Sequence, residues 1–112
     1  SKDKLDFIVR AIKSGYFVRL FFVGTNSPII NASRIAKRVL EGGHDVPISK
    51  IISRFSKSIA NCCEISTIVD RLYVFDNSLN DTDPTLLFRM KEGKVIKDYN
   101  EINEWALSIY NY

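Results

Sequence analysis

The sequence predicts an α/β fold, and three observations carry that reading. The run YFVRLFFV (Tyr16–Val23) is aromatic and β-branched with little polar alternation, as in a strand of a parallel sheet buried on both faces. A second run, RLYVFDNS (Arg71–Ser78), is separated from it by two segments with helical periodicity. LLFRM (86–90) and KVIKDY (94–99) flank Glu92-Gly93 and read as a hairpin. Helix, strand, helix, helix, strand, hairpin and helix, in that order, is an α/β pattern in a single domain spanning residues 1–112.

Each element has a local cause. Residues 3–14 place Leu5, Ile8, Val9 and Ile12 on one helical face, and Gly15 supplies the stop. GTNSP (24–28) is loop chemistry, with Ser27 as N-cap and Pro28 at the first helical position. The next helix runs from about Ile29 to Glu41, with Ala32, Ile35, Ala36 and Val39 inward and Arg34, Lys37 and Arg38 outward. Gly42-Gly43 ends it. A third helix, from about Pro47 to Thr67, has Asp45 as its capping candidate, and its inward arc holds Ile48, Ile51, Ile52, Phe55 and Ile59. The tail from Glu101 to Tyr112 turns Ile102, Trp105, Ala106 and Ile109 inward.

Composition excludes several classes. Of 112 residues, 46% are hydrophobic and 26% charged, which is ordinary for a globular domain and unlike a disordered chain. No apolar run approaches the roughly 18–20 residues that a membrane span requires, so a membrane partner is not expected. Ser1–Asp6 is too polar for a signal peptide. Cys62 and Cys63 are adjacent and cannot close a loop, and one His with no spaced Cys/His cluster gives no metal pattern. A reduced, cytoplasmic setting is expected. The single Met is Met90, so the chain reads as processed or as cut from a longer protein.

The net charge of +3 is unevenly placed. Between Arg34 and Lys57 six basic residues face only Glu41 and Asp45, giving +4; elsewhere 10 basic and 11 acidic residues give −1. Arg34 and Arg38 are four apart, as are Lys50 and Arg54, so each pair projects from one side of its helix. If the turn at GGHDVP folds one helix back on the other, these side chains converge on an anion, and the arginine fork suits phosphate. A solvated basic face is the rival reading. His44 is a phosphate donor, a general base or a turn residue. Asp76 and Asn77 sit at the carboxyl end of a strand, where open α/β sheets bind ligands, and a plain turn is the alternative. There is no GxxxxGK[ST] loop, nucleophile elbow or paired-carboxylate constellation.

RVLEGGHDVP with Arg34 upstream, ISRF with Arg54, and the strand end VFDNS occur in order. Over roughly Ile12–Ser78 the chain resembles the zeta-toxin-like P-loop ATPases and kinases of bacteria. That resemblance implies part of a three-layer P-loop kinase-like fold, with parallel strands, flanking helices and a C-terminal hairpin plus helix. It assigns Arg34 and Arg38 as catalytic lid arginines facing the ATP phosphates. His44 and Arg54 would border the same site, with Asp76 and Asn77 near the nucleotide. It implies ATP and Mg2+ as cofactors and, as in zeta toxins that phosphorylate UDP-N-acetylglucosamine, a phosphotransferase restrained by an antitoxin protein. The Walker A lysine, the Mg2+-binding hydroxyl and the carboxylate base would all lie before residue 1. The chain is then the C-terminal portion of such an enzyme, inactive alone, expected to self-associate or to require its missing N-terminal half.

A nucleic-acid-binding or protein-interaction module is the alternative. Binding of nucleic acid through the two basic helix faces is disfavoured because no outward aromatic is interleaved with the cations.

Overall fold

β1 (Arg19–Gly24) and β2 (Arg71–Asp76) lie side by side and parallel in the computed structural model, which describes residues 2–112. Parallel neighbours need a crossover, and the chain between them supplies α2 (Pro28–Leu40) and α3 (Ile48–Ser66). β3 (Thr85–Lys91) and β4 (Lys94–Asp98) then add antiparallel strands, giving a four-stranded mixed sheet of order β1-β2-β3-β4. α1 (Lys2–Lys13) precedes the sheet, and a 3₁₀ turn (Glu104–Ala106) running into α4 (Leu107–Tyr110) follows it.

Local chemistry sets the boundaries. Gly15, at φ +87°, ends α1, with the Tyr16 amide donating back to the Ala11 carbonyl at 3.1 Å. Ser27 caps α2 as expected: its Oγ accepts from the Ile29 amide at 3.2 Å, with Pro28 inside the first turn. Gly42 adopts φ +94° after α2, and the Gly43 amide donates to the Arg38 carbonyl at 2.7 Å. The expected Asp45 cap on α3 is not formed. Pro47 occupies the capping position, and Asp45 instead accepts from the Val46 amide at 2.8 Å, because proline fixes the helix entry two residues later.

The core lies on one face of the sheet. Leu72 and Val74 of β2 meet Leu87, Phe88 and Met90 of β3, covered by Cys62, Cys63, Ile65 and Val69 and closed by Ala106 and Ile109. Leu87 and Phe88 are both buried although adjacent, because the β2–β3 register shifts between Val74 and Phe75. The tail is docked by Trp105. Its ring lies over Gly24, where a Cβ would fall inside the indole, and its Nε1 donates to Asp76 Oδ1 at 2.8 Å. One side chain thereby ties β1, β2 and the C-terminus together.

The structure corrects several expectations. The Tyr16–Val23 run is not buried on both faces: strand β1 starts at Arg19, lies at the sheet edge, and leaves Phe21 59% and Val23 50% exposed. The parallel pair and the C-terminal hairpin are as the sequence predicts, and the hairpin joins the pair in one mixed sheet. The described residues measure 43 × 31 × 21 Å, and none of Arg19, Phe21, Val23, Arg71, Tyr73 and Phe75, which face away from the core, is buried. Helix periodicity also overstated the inward arc of α3. Ile51 is buried, but Ile48 and Ile52 are exposed, so the packed stripe at the start of α3 is narrower than the apolar one.

Both thiols are free and buried. Burial, and then the neighbouring Cys63, pushes the Cys62 thiol from 9.0 up to about 12. A folded-state value above the unfolded one means the stabilisation is complete below pH 9.0 and is lost as pH rises towards 12. Urea melts should therefore show a decline across that window that Cys62→Ala flattens, with both native thiols slow towards Ellman's reagent near neutral pH. Gly24→Ala should cost about 1–3 kcal/mol in the same assay, because the indole must move.

Candidate functional site

The crossover brings the carboxyl ends of β1 and β2 together with the facing sides of α2 and α3. Between them opens a cavity of about 570 Å3. Its apolar wall is Val23, Ile35, Val46, Ile51 and Phe55. Its polar lining is Thr25, Asn31 and Asn77 from the strand ends and the first turn of α2, Ser58 from α3, and three guanidiniums, Arg34, Arg38 and Arg54. No carboxylate lines it.

Arg34 and Arg38 reach the cavity from successive turns of α2, and Arg54 with Ser58 does so from α3, which is the i, i+4 geometry of a helix face. Arg34 is the best held of the three. Its Nη2 donates to the Asn77 carbonyl at 2.7 Å and its Nε to Asn80 Oδ1 at 3.1 Å, pinning α2 to the segment after β2. Arg38 Nε donates to the Arg34 carbonyl at 3.4 Å. Arg54 is exposed at the rim.

Of the residues singled out from sequence, Arg34, Arg38, Arg54 and Asn77 come together in this cavity. His44 does not: it lies exposed in the turn between the helices, off the cavity wall. Asp76 is turned the other way, where Oδ1 accepts from Trp105 Nε1 and from Ser78 Oγ at 2.6 Å. Lys50 and Lys57 also point elsewhere.

Thr25, Asn31 and Ser58 were not singled out from the sequence. Thr25 is 6% exposed, with its hydroxyl 3.0 Å from Asn31 Oδ1 and 3.2 Å from the Ser27 carbonyl. Its position at the carboxyl end of a parallel strand was the available signal. Read only as loop chemistry, GTNSP concealed it.

Chemically, the lining offers hydrogen-bond donors and positive charge, the requirements for holding an anion such as phosphate. It supplies no carboxylate or imidazole to accept a proton. The buried thiols stay protonated and lie outside the cavity. No helix of the described residues is long and apolar enough to cross a membrane.

No family model, curated protein or solved structure matches the chain. Function is therefore read from the site.

Arg34→Ala removes the two bonds that hold α2 to residues 77–80. The expected result is a stability loss of about 1 kcal/mol, modest because the contact is partly solvated, with faster amide exchange over 77–81.

Proposed function

We propose that the cavity binds the phosphates of a nucleotide, and that the chain is the C-terminal portion of a zeta-toxin-like ATP-binding protein or small-molecule kinase. The observation that supports this most directly is the convergence of Arg34, Arg38 and Arg54 on one cavity at the carboxyl ends of two parallel strands. Phosphoryl transfer depends chiefly on positioned positive charge, and three guanidiniums on an apolar wall are suited to that task. In this reading Arg34, braced by Asn77 and Asn80, sets the position of α2, while Arg38 and Arg54 hold phosphate oxygens. His44 and Asp76 take no part.

The residues present do not fit a Mg2+ ion. The cavity has no carboxylate, and no group of three His, Cys, Asp or Glu side chains converges among the described residues. Proton abstraction and metal binding fall to residues beyond the cavity lining, so the chain by itself binds nucleotide without turning it over. A bacterial, cytoplasmic protein acting on a small hydroxyl-bearing acceptor, restrained by an antitoxin, completes the proposal.

Titration of a fluorescent ATP analogue, with ATP and ADP as competitors, tests the reading. Arg38→Ala and Arg54→Ala, whose side chains hold no distant part of the fold, should each weaken binding about 10- to 100-fold, the loss of a charge-assisted hydrogen bond. Absence of binding at millimolar nucleotide, or unchanged affinity in both variants, would contradict it.

A further inference from the structure

The sheet presents a second basic surface, which adjoins the cavity at Val23 but is built from other cations. Strand alternation sends Arg19, Phe21 and Val23 of β1, and Arg71, Tyr73 and Phe75 of β2, to the face away from the core, where they pair 19 with 71, 21 with 73 and 23 with 75. On β3, Arg89 stands opposite Tyr73, and on β4, Lys97 stands opposite Arg89. Lys91 and Lys94, also opposed, complete the surface next to the hairpin turn.

Three like-charge pairs, Arg19–Arg71, Arg89–Lys97 and Lys91–Lys94, are thus directly opposed across neighbouring strands. The acidic strand residues turn to the other side, Asp76 to Trp105 and Asp98 to the Tyr110 hydroxyl. Directly opposed like charges destabilise a sheet, and a ligand that repeats negative charge at close spacing would offset that cost. Arg89 Nε, moreover, is a buried donor without a hydrogen-bond partner.

The rest of the face is aromatic. Phe21 stacks on Tyr73 at 5.0 Å between centroids and meets Phe75 at 6.0 Å. The Phe17 ring, 58% exposed, lies 5.5 and 5.4 Å from the Arg19 and Arg71 guanidiniums. Phe17 and Arg19 also open onto a cavity of about 670 Å3 shared with Phe7 and Arg10 of α1.

We propose that this face binds single-stranded nucleic acid, with phosphates along the opposed cation pairs and bases on Phe17, Phe21 and Tyr73. Sheet platforms that combine exposed aromatic rings with cations take unpaired bases, because a duplex hides the ring faces that stack. An acidic amphipathic polypeptide is the competing occupant. It would cover Val23 and Phe75 but would not call for three opposed cation pairs or accessible stacking rings. The aromatic-interleaved cations that the two basic helices lack are present here, gathered by strand pairing from positions between Arg19 and Lys97.

Fluorescence anisotropy of the full chain with labelled oligo(U) and oligo(dT) of about fifteen nucleotides tests this. Binding at 50 mM salt should weaken about 50-fold at 200 mM, the change for about four neutralised phosphates on a single strand. Phe21→Ala, at an exposed position, and Lys97→Glu, on the exposed edge strand, should each reduce affinity about tenfold while still melting cooperatively, with Lys97→Glu no less stable because it replaces an opposed like-charge pair. Arg54→Ala should leave it unchanged, which separates this surface from the nucleotide cavity. The proposal is overturned if no binding occurs at 50 mM salt, if Arg54→Ala abolishes binding that Lys97→Glu spares, or if polyglutamate displaces the oligonucleotide and Phe21→Ala has no effect.

Discussion

β1 and β2 run parallel, and a parallel pair cannot be closed by a turn. The chain has to leave one end of the sheet and return to the other, and α2 and α3 are that return. α3 covers the side of the sheet that holds Leu72 and Val74, and its side facing α2 lines the cavity beyond the strand ends. The cavity follows from this route rather than from any local motif. The aromatic face is left bare because the buried core gathers on the opposite side of the sheet. Trp105 reinforces the pairing at its carboxyl end by clamping Gly24 and Asp76 from the C-terminal tail.

Much of this was legible in the residues because the signals were local. Ser27-Pro28 and Gly15 marked helix ends by dihedral and capping preference, and the structure uses all three. The tail's Ala106 and Ile109 are buried as their spacing requires. What failed was long-range. An apolar strand looks the same in the middle of a sheet and at its edge, so composition does not separate a strand buried on both faces from the edge strand that β1 is. Helical periodicity identifies an apolar stripe but not how much of it a partner covers, and Ile48 and Ile52 lie in the stripe yet are exposed. Asp45 had a capping residue's chemistry, but Pro47 had already fixed where α3 begins.

The same distinction separates the two basic surfaces. Arg34, Arg38 and Arg54 are close in sequence, so a running charge count finds them. The cations of the sheet face are scattered from Arg19 to Lys97 among the acidic residues that make the remainder of the chain −1. Only strand register sorts them, sending the basic side chains one way and Asp76 and Asp98 the other. Asp76 shows the converse. At a strand end it had a ligand-binding position, but its oxygens hold Trp105 and Ser78, and its neighbour Asn77 lines the cavity instead.

That the crossover builds a nucleotide-phosphate site is the claim on which the functional reading stands. Amide chemical-shift mapping during an ATP titration tests it most directly. Perturbations concentrated at Thr25, Asn31, Arg34, Arg54 and Asn77, residues joined only by the β1–β2 crossover, with Phe21, Tyr73 and Lys97 unmoved, are the predicted result. Shifts that are absent at millimolar ATP, or that fall on the sheet face and spare the cavity, would contradict it.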